Sequence, residues 1–343
     1  MSRYLLDLIS ADRNSFSGTV AQIDVRSTLK DIGTTFLDIN RRKVIYSHNI
    51  RGIMIRISNI IESFIALRVV SHNDYVYFQY PYSVYPLSTI VQIAKKRGAK
   101  IVFIIHDLNS LRWKGSKDKW TDLNLADYLL VHTNQMAEEL RRFGVKTEMI
   151  PITLFDYYSK DDYRDLAEQA KDRNIIAFAG NLNKSELFLK KLQASNIPPG
   201  FSFNLYGISP NYNIDETKLN YQGKFLSEHT AAILAGWGLV WDGDGIDSCS
   251  GNLGNYLKVI APHKLSLYIA SGIPVIVWSN SAHAKFVEEN EIGFSVNTIS
   301  EIYNLINDIS DEKYIDMVMN TRRIGNKLRV GGYLKKAIMK VEQ

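Results

Sequence analysis

Cysteine is all but absent, with Cys249 standing alone in 343 residues. That excludes an internal disulfide and a cysteine-built zinc site. No uncharged apolar run approaches the roughly 18 residues that a membrane helix needs. The first residues, Met1-Ser2-Arg3-Tyr4-Leu5-Leu6-Asp7, lack the apolar core of a signal peptide. These absences predict a cytoplasmic protein with no transmembrane segment. A broad excess of one charge is missing too. The net charge is +5, but the stretch 321–343 alone carries +6, leaving −1 for everything before it. A near-neutral body argues against a nucleic-acid partner. Neither a G-x-G-x-x-G dinucleotide fingerprint nor a P-loop occurs, which weighs against a sugar-nucleotide synthase or epimerase.

Apolar residues make up 45% and charged residues 22%, which is ordinary for a globular chain and excludes wholesale disorder. Strand-like and helix-like segments alternate throughout, the pattern of a parallel α/β design. Tyr4–Ile9, Thr35–Ile39, Tyr75–Gln79, Ile101–Ile105 and Tyr128–Val131 read as strands, and Ile50–Val70 as a long helix with scattered arginines. After a polar stretch from Phe155 to Arg173 the pattern restarts with strands at Ile175–Ala179, Phe201–Tyr206, Gly238–Trp241 and Pro274–Trp278. The expected organisation is two Rossmann-like domains facing across a cleft. Residues 1–155 form the first and 156–320 the second, and 321–343 is a basic helix returning to the first domain or to another subunit.

In open parallel sheets function gathers at the loops beyond the strands' carboxyl ends. The first such loop ends in Ser17-Gly18-Thr19. Small residues before a helix can admit a phosphate or sugar, or simply cap the helix. At the end of an apolar strand His106 and Asp107 emerge, followed by Ser110-Leu111-Arg112. Either could serve as a general base for an acceptor hydroxyl, or Asp107 could cap a turn while His106 packs. The second half opens with a strand running into Gly180-Asn181-Leu182-Asn183-Lys184, whose lysine could neutralise a diphosphate or remain solvated.

The richest block is Asn255-Tyr256-Leu257-Lys258 followed by Pro262-His263-Lys264-Leu265-Ser266. Proline at the start of an apolar helix, with Lys258, His263 and Lys264 beside it, makes an anion site. Asp242-Gly243-Asp244 matches the D-x-D pair that can hold a divalent cation. The glycines and Asp247 around it make a tight turn the simpler account, so neither metal nor cofactor is expected.

Taken together, the run from Val240 through Asp244, Asn255–Lys258 and Pro262–Ser266 resembles bacterial GT-B glycosyltransferases. The relevant group includes the second glucosyltransferase of serine-rich-repeat adhesin glycosylation and certain galactofuranosyltransferases. Ser17–Thr19, Phe78-Gln79-Tyr80-Pro81 and His106–Arg112 are similar as well, so the resemblance spans nearly the whole chain. It implies a UDP-sugar donor held by the second domain. Lys184, Tyr206, Asn255, Lys258, Pro262, His263 and Lys264 would surround it, with Ser17–Thr19 touching from the first domain. It further implies glucose transfer from UDP-glucose to N-acetylglucosamine on a serine-rich-repeat adhesin, by a homo-oligomer (dimer or tetramer). The alternatives are a galactofuranosyl or other hexosyl transfer in surface polysaccharide synthesis, or a non-catalytic GT-B partner subunit. No Glu-x7-Glu pair follows Pro262, which leaves the stereochemical course open.

Overall fold

The computed structural model describes residues 1–9, 18–40, 50–81, 86–113, 116 and 120–343. The side chains of 8, 9, 18, 19, 40 and 51 fall outside that description. The chain divides into two compact units. One comprises Met1–Ser110, Gly115–Thr153 and Leu334–Gln343, and the other Leu111–Lys114 and Leu154–Tyr333.

In chain order the first unit carries β1 (Arg3–Ile9), α1 (Gly18–Asp31), β2 (Thr35–Asn40), α2 (Ile50–Ala66), β3 (Tyr75–Tyr80), α3 (Leu87–Lys95) and β4 (Lys100–Ile105). Then come α4 (Asn109–Arg112), whose last two residues count with the second unit, α5 (Trp120–Leu123), β5 (Tyr128–Val131), α6 (Asn134–Arg142) and β6 (Glu148–Pro151). The second unit follows with α7 (Leu166–Lys171), β7 (Ile175–Ala179), α8 (Glu186–Ala194), β8 (Ser202–Tyr206), β9 (Leu219–Gly223), β10 (Trp237–Val240) and α9 (Gly251–Tyr256). It continues with α10 (His263–Ala270), β11 (Val275–Trp278), α11 (Ala284–Glu289), β12 (Gly293–Val296), α12 (Glu301–Asp308) and α13 (Asp311–Leu328). The last helix is α14 (Gly332–Val341).

Each unit is built on a six-stranded sheet whose paired strands are all parallel. The first runs β2-β1-β3-β4-β5-β6 and the second β12-β11-β10-β7-β8-β9. Counted within its own unit, the second is the 3-2-1-4-5-6 order of dinucleotide-binding folds. Central strands covered on both faces need no polar alternation. Accordingly, every residue of β4 but Lys100 is buried, and so is the whole of β3. In the second unit Phe178, Phe203, Trp237, Trp241 and Tyr314 anchor one contiguous apolar core.

The basic stretch 321–343 is not one helix. Its first part finishes the 18-residue α13, whose start Ser310 caps by accepting from Lys313 N at 3.2 Å. Gly331, at φ +76°, turns the chain into α14. That helix buries Leu334, Ala337, Ile338 and Val341. Just past its end, Glu342 accepts from Arg3 at 2.7 and 2.5 Å and from Tyr77 Oη at 2.9 Å. The chain's final residues therefore complete the first unit, beside the strand with which it began.

Candidate active site

The second sheet reverses its order between β7 and β10, the place where such sheets hold ligands. From β7 the chain turns through Gly180, at φ +144°, and Gly207 beyond β8 sits at φ +155°. A Cβ on Gly207 would stand 2.1 Å from the Gly180 carbonyl oxygen, so these two turns meet backbone to backbone. Asn181 Oδ1 accepts from Lys184 N at 3.1 Å and closes the turn, leaving the Lys184 side chain exposed.

From β10 the chain enters Trp241-Asp242-Gly243-Asp244. Trp241 Nε1 donates to Gly245 O at 2.8 Å, and Asp244 N to Ser250 O at 3.3 Å. Gly243, at φ +115°, passes so close that a Cβ would lie 2.3 Å from Ser250 O. The D-x-D run is a tight turn. Its first carboxylate is engaged: Lys264 Nζ donates to Asp242 Oδ1 at 3.1 Å and to Trp241 O at 2.8 Å. The same ammonium stands 4.4 Å from the centre of the Phe178 ring, and its side chain is 13% exposed. Among the described residues no group of three or more His, Cys, Asp or Glu could hold a metal ion.

Helix α10 delivers that lysine. Pro262 occupies its N-cap position at φ −71° and ψ 138°, with no side chain capping the first turn. The opening N–H groups and the positive end of the dipole therefore share a corner with Lys264. The His263 ring packs against Phe155 and Tyr157, with centroids 5.1 and 6.1 Å away. Leu265 and Ser266 are wholly buried. Tyr268, one turn further, accepts from Ala179 N at 2.7 Å and donates to Ala177 O at 3.2 Å. Burial pushes its phenol up, so it holds its proton and locks α10 to the end of β7.

In the first unit the order reverses between β1 and β3, and a polar relay runs beneath β4's carboxyl end. His106 Nε2 lies 2.8 Å from Gln79 Oε1. The Gln79 amide nitrogen donates to Asp7 Oδ2 at 3.1 Å and to Gln22 O at 3.3 Å. Arg26 Nη1 bridges Asp7 and Asp38 at 2.8 and 2.9 Å. Both acceptors beside the amide nitrogen are oxygens, which assigns the amide and turns its oxygen towards His106. Nε2 must then carry the hydrogen, leaving the imidazole lone pair on Nδ1. Asp107 follows as an exposed residue.

Against known proteins, the glucosyltransferase 3-like N-terminal domain matches residues 3–154 and the glucosyltransferase 3-like C-terminal domain matches 176–341. The chain belongs to this family of glycosyltransferases. Beta-1,6-galactofuranosyltransferase WbbI of Escherichia coli K12 is 34% identical over 71% of each chain. Glucosyltransferase 3 of Streptococcus gordonii is 27% identical over 70% of each. An E. coli trehalose-6-phosphate structure bound with UDP-2-fluoro glucose superposes over 99% of each chain, with a TM-score of 0.59 at 11% identity. That last likeness is one of fold, and the fold of this glycosyltransferase is GT-B.

Residues singled out from the sequence of the glycosyltransferase fall into distinct places. Lys264 and Pro262 share the start of α10, with His263 alongside. Asn255 and Lys258 are exposed around the end of α9, and Lys258 Nζ lies 5.4 Å from the Trp278 ring centre. Tyr256 is buried, with the Arg112 guanidinium 5.9 Å from its ring centre. Tyr206 is buried and accepts from Leu234 N at 2.8 Å, and burial raises its phenol. In this position it braces β8 against the 234 backbone. Ser17 lies outside the described residues; Gly18 and Thr19 open α1, with side chains outside them. Sequence reasoning missed Asp242 as the partner of Lys264, Phe155 and Tyr157 as the bed of His263, and the Gln79–Asp7 support of His106. The signals for the last were the Phe78–Pro81 block of the resemblance and a polar Gln79 and Asp7 within largely apolar strands.

Proposed function

We propose that this glycosyltransferase moves a hexosyl group from a UDP-sugar to a hydroxyl of a sugar acceptor, without a metal ion. The start of α10 carries the reading. An ammonium already fixed by Trp241 O and Asp242, shielded on one side by Phe178, sits beside uncapped helix N–H groups. Charge that develops on a departing diphosphate is best met by groups that need no rearrangement at that moment. Exposed Lys184 and Lys258 add positive field from neighbouring loops. In the first unit, His106 Nδ1 is the group we assign to take the acceptor proton, with Asp107 next to it as the alternative. The relay to Asp7 would steady the imidazolium as it forms.

For the donor and acceptor, the resemblance favours UDP-glucose and N-acetylglucosamine carried on a serine-rich-repeat adhesin. A second reading, galactofuranosyl transfer in surface polysaccharide synthesis, is favoured by the greater identity to the E. coli galactofuranosyltransferase. Incubation with UDP-glucose and with UDP-galactofuranose, each with sugar acceptors, separates the two by product mass. UDP alone should raise the melting temperature, since a ligand at 100 times its Kd stabilises by about 2.7 kcal/mol. A flat melting profile at millimolar UDP, with neither donor consumed, refutes the proposed donor site.

A further inference from the structure

Helix α2 is folded with its apolar side outward. Among its described side chains Asn59 and Ser63 are buried, as is Gly52. Ile53, Met54, Ile57, Ile61, Phe64 and Ile65 recur at three- and four-residue spacing along the opposite face and remain 43–65% exposed. Those six side chains leave on the order of 600 Å² of apolar surface open, at the upper limit of what a monomer usually shows. The stripe runs the length of a 17-residue helix, about 25 Å at 1.5 Å per residue.

Positive charge gathers at one end. Arg68 and Arg97 both stand over Phe64, 5.3 and 5.9 Å from its ring centre, and Arg97 donates to Arg68 O at 3.1 Å. Arg68 and Lys96 are exposed there too. The other end of the helix is the positive end of its dipole. Packing a second copy on this face, parallel or antiparallel, would set positive ends against positive ends. A surface of negative charge with an apolar layer beneath it fits both features.

We propose that this face docks on an anionic lipid surface. Helix α2 lies in the plane of the bilayer, its isoleucine, methionine and phenylalanine side chains reach the acyl boundary, and Arg68, Lys96 and Arg97 meet the headgroup phosphates. This requires nothing of the donor site, and its test is independent of transfer activity.

The experiment is flotation of the full chain with phosphatidylglycerol–phosphatidylethanolamine vesicles and with neutral phosphatidylcholine vesicles, alongside its mass by light scattering. The wild type should float with the anionic vesicles, weakly with the neutral ones, and less as salt rises. Ile57→Glu with Ile61→Glu should abolish flotation while leaving the melting temperature in place, since both positions are exposed. Arg68→Glu with Arg97→Glu keeps the apolar stripe and should weaken binding by about tenfold or more. A wild type that stays at the bottom of the gradient with anionic vesicles overturns the proposal. So does flotation that neither pair of substitutions changes. A stable dimer that dissociates in the Ile57→Glu/Ile61→Glu variant, with no vesicle binding, assigns the face to a second copy instead.

Discussion

Replacing Lys264 by methionine keeps the aliphatic stem and removes the ammonium. The loss comprises a charged donor's bond to Trp241 O at 2.8 Å, the contact with Asp242 at 3.1 Å and the cation over Phe178 at 4.4 Å. A hydrogen bond from a charged group contributes about 1.5–3 kcal/mol and an exposed cation–π contact about 0.5–1 kcal/mol. Asp242 keeps 26% exposure and can rehydrate, so its pairing counts for under about 1 kcal/mol. The fold should therefore lose about 2–5 kcal/mol, a fall of about 4–20 °C in melting temperature for a unit of this size. If the same ammonium meets the leaving diphosphate, transfer should fall by a further 2–4 kcal/mol in activation terms, roughly 30- to 1000-fold. The two effects separate in the double variant with Asp242→Asn, which removes the carboxylate left behind. It should recover at most the roughly 1 kcal/mol assigned to the pair, and none of the rate. Initial rates of UDP release, measured well below the melting temperature and scaled to folded protein, decide the matter. A single variant that melts early but turns over within about tenfold of wild type would make Lys264 a structural lysine and refute the donor-site assignment.

Gln79→Leu should cut turnover about 10- to 100-fold with UDP binding unchanged, because it removes the acceptor that holds the His106 tautomer; isothermal titration beside initial rates tests this. Chelation by EDTA should leave the initial rate unchanged, and a rate lost to chelator and restored by manganese would return the D-x-D turn to metal binding. Asp161 accepts from His229 Nδ1 and from Ala231 N, both at 2.9 Å, which holds its carboxyl below the ordinary 3.8. Its folded form binds fewer protons than the unfolded chain, so its stabilisation is present above 3.8 and is lost as pH falls through the lower folded value. Asp161→Asn should accordingly melt earlier than wild type at neutral pH, with the gap closing in acid. Deleting 332–343 should unfold the first unit at physiological temperature, since it strips buried Leu334, Ile338 and Val341, worth about 1.5–3 kcal/mol each, together with Ala337; loss of slow hydrogen exchange in β1 and β3 would report it.

Much of the strand framework was readable because central parallel strands are continuous apolar runs, as in Ile101–Ile105, where no other element could use them. The edge strand Leu219–Gly223 escaped notice because it is half exposed and rich in asparagine, tyrosine and glutamine. Helix Ile50–Ala66 was legible by period, but its orientation was not. Periodicity reports that one face is apolar, and only the buried Asn59 and Ser63 reveal that this face turns away from the sheet. The anion-binding character of Pro262-His263-Lys264 could be read from residue type alone. The partner of the lysine could not, because Asp242 lies 22 residues away and is joined by the fold. Gln79 and His106, 27 residues apart, are a pair for the same reason: adjacent parallel strands put their carboxyl ends side by side.

The path of the last helix bears on how the chain is made. The second unit is almost wholly drawn from one stretch ending at Tyr333, whereas the first lacks its closing piece until residues 334–343 exist. At about 5–20 residues per second, a ribosome that has finished Thr153 needs on the order of 10–40 s to supply them. During that interval the sites that later receive Glu342, at Arg3 and Tyr77, stand open on a nascent half-domain, while the unit encoded second is able to fold first. Birth order along the polypeptide and order of completion are thus reversed, and the earlier-made half is the one that must wait.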